Sequence, residues 1–86
     1  MPKISPHAVI DRKAEIAEDV EIGPFCVIGP HVRIGRGTVV GSNVTVLPGV
    51  RIGAGAWIEH HSVVNRDVDD GAVVAGFPAR PVKGDA

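Results

Sequence analysis

Every sixth residue from Ile4 is a branched aliphatic: Ile4, Ile10, Ile16, Ile22, Ile28, Ile34, Val40, Val46, Ile52, Ile58 and Val64. A second series, also spaced by six, is small or β-branched: Ala8, Ala14, Val20, Cys26, Val32, Thr38, Val44, Val50, Ala56, Ser62 and Val68. The two series alternate at four-then-two spacing. A helix would return its apolar face every three or four residues and would not carry 11 glycines and 7 prolines in 86 residues. A strand with alternate side chains facing one core fits the spacing. Each hexad therefore predicts a short strand with two inward side chains, followed by a sharp corner. The residue after the aliphatic is glycine at Gly23, Gly29, Gly35, Gly41 and Gly53, and Asp11 or Asn65 at two more. These residue types tolerate a left-handed backbone, which places the expected corner conformation there. Leu47 occupies a glycine position ahead of Pro48, and proline restricts the residue before it, so this corner is expected to turn differently. The frame continues without insertion from Ile4 to Val68, as a solenoid requires.

Composition narrows the picture. An 86-residue chain makes one domain, and a core of that size is marginal alone. The net charge of −1 gives no pull toward nucleic acid or anionic membrane. The single cysteine, Cys26, excludes an internal disulfide and fits a reducing compartment. No apolar run approaches a membrane span and no signal-peptide pattern opens the chain, so a cytoplasmic protein without membrane partners is expected. Aromatics are few (Phe25, Trp57 and Phe77), so the core is expected to be aliphatic.

The repeated Ile/Val-Gly-x-x-small-x unit over Ile4 to Val68 resembles the bacterial hexapeptide-repeat acyltransferases. The resemblance implies an all-β fold: a single-stranded left-handed parallel β-helix in which three hexads make one triangular coil. It predicts about four coils over residues 1–70, with residues 71–86 forming a C-terminal strand and extended tail packed on the prism. Ile22 to Val46, "IGPFCVIGPHVRIGRGTVVGSNVTV", resembles the opening coils of UDP-N-acetylglucosamine acyltransferases. Pro48 to Lys83, ending "VVAGFPARPVK", resembles the last coil and tail of sugar O-acetyltransferases.

With eighteen residues per coil, the outward residues sort into three faces. One carries Val9, Val27, Thr45 and Val63; a second carries Glu15, Arg33, Arg51 and Asp69; a third carries Glu21, Val39 and Trp57. The second suits water. The first and third expose apolar stripes beside a shared corner, and two unlike faces meeting head-to-tail close a ring. A homotrimer through the Val9/Val27/Thr45/Val63 and Val39/Trp57 faces is expected, as the resemblance also implies.

No P-loop, dinucleotide fingerprint or cysteine metal cluster is present. The chemistry therefore falls to four histidines: His7, His31, His60 and His61. In the family a histidine acts as general base on the acceptor hydroxyl or amine, and its near-neutral pKa suits that task. His60 and His61, with Glu59 adjacent to orient an imidazole, make the one His-rich spot and the catalytic candidates. They do not stand at the family's usual histidine position. His31 ranks second, and His7 is expected at the surface or an interface. The resemblance of the tail implies a coenzyme A thioester, acetyl-CoA, as acyl donor without a metal. Asn65, Arg66, Arg80 and Lys83 would meet its phosphates. Three alternatives stand beside this reading. The first is a minimal or engineered trimeric β-helix scaffold without a working site, since no insertion loop shapes an acceptor pocket. The second is a histidine-liganded metalloenzyme of the carbonic anhydrase type. The third, an ice-binding β-helix, would need outward threonine rows, and only Thr45 fills such a site.

Overall fold

The computed structural model describes residues 1–82. Eleven two-residue strands, β1 to β11, recur every six residues: Lys3–Ile4, Val9–Ile10, Glu15–Ile16, Glu21–Ile22, Val27–Ile28, Arg33–Ile34, Val39–Val40, Thr45–Val46, Arg51–Ile52, Trp57–Ile58 and Val63–Val64. Two longer strands follow, β12 at Val73–Gly76 and β13 at Ala79–Pro81. Parallel pairing stacks every third strand. The resulting sheets run β1-β4-β7-β10-β12-β13, β11-β8-β5-β2 and β3-β6-β9. These three sheets are the faces of a parallel β-helix of about four coils. Both inward series form its aliphatic core, from Val20 and Ile22 through Val64 and Val74. In the first coil, at one end of the prism, Ile10 and Ile16 are half-buried and Ile4 is exposed.

The inward polar side chains are each paired. Thr38 Oγ1 donates to Gly53 O at 2.7 Å and accepts from Ala56 N at 3.1 Å. Ser62 Oγ donates to Glu59 O at 2.7 Å, and Cys26 Sγ donates to Gly41 O at 2.9 Å. Hydroxyl and thiol thus satisfy carbonyls that the corners turn inward, at no cost in unpaired buried groups.

The corners differ from expectation. The left-handed residue is not the glycine after the aliphatic but the residue two further on. Positive φ recurs at Asp19, Phe25, His31, Gly37, Asn43, Gly49, Gly55 and His61. Each of these from Phe25 on, His31 excepted, donates its N–H to a corner carbonyl of the preceding coil, as in Asn43 N to Pro24 O at 3.0 Å and His61 N to Ser42 O at 2.9 Å. The bond offsets the cost of the conformation. The glycine after the aliphatic serves close approach instead. A Cβ on Gly23 would lie 2.7 Å from Gly41 O, and one on Gly35 would lie 2.6 Å from Ala54 N. The Leu47-Pro48 corner does not turn differently either. Gly49 takes the left-handed place with φ 79°, and its N–H reaches Pro30 O at 2.9 Å.

A second correction concerns the frame. It holds at eighteen residues through Val46↔Val64, then slips by two: Ile52 pairs with Val68, Trp57 with Val73 and Ile58 with Val74. Val68 therefore extends the Ile16–Ile34–Ile52 column rather than the small series, and Asp67, not Asp69, stands over Arg51. Two carboxylates accept main-chain N–H groups of the coil below, Asp67 in place of a main-chain carbonyl. Asp67 Oδ1 accepts from Arg51 N and Asp70 Oδ1 from Ala54 N, both at 2.9 Å. After the slip, β12 continues the face of β10, and β13 folds back on it antiparallel through the Phe77–Pro78 turn. Buried Val74 and Ala79 seat this hairpin on the prism, and β13 covers the edge of β12.

Candidate functional site

The histidine pair occupies the corner between β10 and β11, below which lie Ser42-Asn43, Pro24-Phe25 and Pro6-His7 in successive coils. His60 folds back beneath its own coil. Its Nδ1 accepts from Ser42 N at 2.7 Å, and Gly41 is the residue that admits the ring, since a Cβ there would lie 2.6 Å from Nδ1. His61 takes the left-handed place, φ 64°, with its side chain exposed. Glu59 is half-buried and held by main-chain bonds to Val74 O and Ser62 Oγ. Among the described residues no ion pair or hydrogen bond joins its carboxylate to either imidazole.

His60 borders a groove of about 290 Å³ running down the third face, with Trp57, Val39, Glu21, Lys3 and Ser42. Trp57 is half-exposed along it. Lys3 and Ser42 were not among the candidates read from the sequence. The register that pairs Lys3 with Glu21, Glu21 with Val39 and Val39 with Trp57 carries the signal for the first.

Two of the proposed coenzyme contacts meet in a second cleft. Arg66 and Arg80 line a space of about 220 Å³ with Asp67, Asp69, Ala72 and Pro81, between the shortened last coil and β13. Asn65 is exposed beside it in sequence but does not line it. Lys83 lies outside the described residues. The two clefts share no lining residue.

The other candidates are elsewhere. His7 stacks on Phe25, ring centroids 5.5 Å apart, and both are exposed. His31 sits in a left-handed corner between β5 and β6. Burial pushes the Cys26 thiol pKa up, which keeps it protonated and unreactive. Among the described residues no three His, Cys, Asp or Glu side chains gather as a metal site, and no helix is long and apolar enough to cross a membrane.

Comparison with known proteins agrees with this architecture. The family model for bacterial transferase hexapeptide (six repeats) matches residues 1–36, 13–48 and 31–66. A stretch of 27 residues, 31% of the chain, is 67% identical to the acyl-[acyl-carrier-protein]–UDP-N-acetylglucosamine O-acyltransferase of Akkermansia muciniphila, of which it spans 10%. Among solved structures, the serine acetyltransferase of Neisseria gonorrhoeae superposes with a TM-score of 0.90 at 29% identity, over 95% of this chain and 36% of that one. A hexapeptide-repeat acetyltransferase of Vibrio cholerae, complexed with acetyl coenzyme A, superposes with a TM-score of 0.72 at 26% identity, over 95% of this chain and 59% of that one. The chain thus spans between a tenth and three-fifths of these relatives. With the family model covering residues 1–66 and its repeats folded into three stacked faces, this chain belongs to the bacterial transferase hexapeptide-repeat family.

Proposed function

We propose that the chain acts as a homotrimeric acyltransferase, moving an acetyl or related acyl group from coenzyme A to a hydroxyl or amine of a small, sugar-like acceptor. The observation that carries the reading is the meeting of Arg66 and Arg80 in one cleft on the last coil, in a fold whose Vibrio cholerae relative holds acetyl coenzyme A. Guanidinium pairs suit phosphate. The histidine corner, His60-His61 with Glu59, supplies the proton chemistry. Because the two clefts are separate within one chain, the reading needs neighbouring subunits to bring them together. The faces of Val9, Val27, Thr45 and Val63 and of Val39 and Trp57 offer the contacts. Calorimetric titration with acetyl-CoA tests it. Micromolar binding that Arg66→Ala with Arg80→Ala abolishes is expected; no heat from an intact trimer at millimolar ligand overturns it.

One observation favours a second reading, a scaffold without turnover. Nδ1 of His60 is engaged in holding the corner together, and Glu59 does not reach either ring. In that case the histidines serve the fold and an acceptor screen yields no product.

A further inference from the structure

The structure assigns different roles to the two histidines of the corner. We infer that His60 is a fixed Nε2–H donor to a ligand oxygen in the Trp57 groove, and that proton uptake falls to His61. The inference rests on the acyltransferase reading for its ligand and on main-chain geometry for its tautomer.

A main-chain N–H can only donate, so Nδ1 of His60, 2.7 Å from Ser42 N, is a bare acceptor. In a neutral imidazole the proton then sits on Nε2, because the hydrogen bond at one nitrogen sets the state of the other. A ring nitrogen that carries its proton cannot act as general base. Among the described residues Nε2 has no acceptor within the chain, and the ring lines the groove with Trp57, Lys3 and Glu21. Among the described residues His61 is held only through its main-chain bond to Ser42 O, and both ring nitrogens of its exposed side chain are unengaged.

An internal comparison shows why a histidine stands at position 60. Counting from the inward aliphatic, Ile58 and Val68, His60 and Asp70 occupy the same place in their corners. They do the same task, accepting the N–H of the corresponding residue one coil below, Ser42 and Ala54. Asp70 shows that an acceptor on a short side chain is enough for the corner. The imidazole adds what a carboxylate lacks, a donor at the far edge of the ring, and it does so in the coil where the groove carries Trp57. Its ligand is an oxygen acceptor next to a flat or apolar group.

In the proposed transfer that oxygen is the thioester carbonyl. The acceptor oxygen or nitrogen attacks the carbonyl carbon and its proton passes to His61. Charge gathers on the carbonyl oxygen, where the His60 Nε2–H stabilises it. The C–S bond then breaks, the coenzyme thiolate takes the proton from the His61 imidazolium, and the acylated product and free thiol leave.

Long-range proton–nitrogen correlation on the ¹⁵N-labelled full chain, at alkaline pH where the imidazoles are neutral, tests the tautomer directly. His60 is expected as Nε2–H with a bare Nδ1, and its Nε2–H resonance is expected to move on adding acetyl-CoA. His60→Asn keeps an acceptor for Ser42 N but loses the ε donor. It is expected to melt as the parent does and to turn over about 10²-fold more slowly, with the pH profile unmoved. His61→Asn tolerates the left-handed backbone and is expected to lose the limb of the profile that reports base ionisation. A His60 Nδ1–H tautomer, full turnover in His60→Asn, or a limb lost with His60 and kept without His61 overturns the inference while leaving the acyltransferase reading intact. The assigned tautomer with no coenzyme binding by the parent chain overturns the acyltransferase reading, and with it the role given to the Nε2–H.

Discussion

Glycines two residues apart in one corner are required for different reasons, and Gly35 and Gly37 separate them. A Cβ on Gly35 would sit 2.6 Å from Ala54 N, 2.7 Å from Gly53 C and 2.9 Å from Ala54 Cα. All three are main-chain atoms of the coil above, held down by Gly35 N to Ile52 O at 2.8 Å, so no rotamer relieves the overlap. Overpacking of this kind costs about 1–3 kcal/mol, and an alanine recovers about 0.4–1 kcal/mol through the less flexible unfolded chain. Gly35→Ala should therefore lose about 2 kcal/mol, toward the upper part of the range because the obstruction is backbone. At about 4–8 °C per kcal/mol for a domain of this size, the melting midpoint falls by roughly 8–16 °C. A Cβ on Gly37 would meet no atom within 4 Å, but the residue holds φ at 74°. Gly37→Ala meets only the left-handed penalty of about 1–2 kcal/mol, reduced by the same unfolded-state gain. Gly37→Asn should be nearly silent, since Asn43 already holds φ 58° at the equivalent place. Urea and thermal melts of the three variants give the ranking. Gly35→Ala as mild as Gly37→Ala would refute the close-approach argument and return the conformational requirement to the first glycine.

Three further outcomes follow from the same geometry. Val27→Glu with Val63→Glu places carboxylates on the β-branched face and should convert a trimer to monomer by light scattering; unchanged mass removes that face from the interface. Ala56→Phe inserts bulk into the small inward series and should lower stability by about 1–3 kcal/mol or more; an unshifted urea midpoint counts against its inward orientation. Asp70→Ala leaves Ala54 N to water and should cost about 0.5–1.5 kcal/mol, whereas Asp70→Asn retains an acceptor and should cost less; equal losses would show that the carboxylate's charge matters more than its hydrogen bond.

The coil was legible in the sequence because each hexad repeats one physical problem: two side chains facing in and a corner to turn. Ile22, Ile28 and Ile34 announce it, and every strand from Lys3 to Val64 falls where that period puts it. The placement of the left-handed residue was not legible from residue type. Phe25, His31 and His61 take a conformation usually left to glycine because an inter-coil hydrogen bond or the fixed shape of the corner holds them there, and propensity alone does not register such tertiary support. The two-residue slip after Val64 was hidden for a related reason. Val68 suits either inward series, so the pattern continued while the register changed, and Asp67 replacing a main-chain acceptor reveals the shortening. At the candidate site, the sequence brought out the rare His pair and the basic residues of the tail. It did not show that Arg66 and Arg80 share a cleft, which depends on how the shortened coil and the β12–β13 hairpin seat on the prism, or that the exposed His60 ring folds back onto Ser42 N of the coil below.

The thiol inside the coil gives a pH test of the same packing. Cys26 is fully buried in the small series, its Sγ donates to Gly41 O, and burial raises its pKa above the ordinary thiol value. Desolvation is the dominant cause, and nearby main-chain groups oppose it only in part. A raised thiol pKa means that, above the unfolded chain's pKa, the folded state holds a proton that the unfolded state has released. Stability is then unaffected at neutral pH and falls as pH rises through the unfolded thiol's pKa toward the folded one. The amino terminus, raised by its pairing with Glu18, contributes a loss of the same sign, so the thiol must be isolated by difference. Cys26→Val is the control. Valine already fills this series at Val20, Val32 and Val44, so the variant keeps the packing and removes the ionisation. Urea midpoints measured from neutral to alkaline pH should fall more steeply for the parent than for Cys26→Val, with the two curves parallel below the thiol range. Parallel curves throughout would mean that the thiol ionises as readily in the folded chain as in the unfolded one. The column that Cys26 shares with Thr38 and Ser62 would then be open to water, and the closed aliphatic interior on which the rigidity of the corner depends would have to be abandoned.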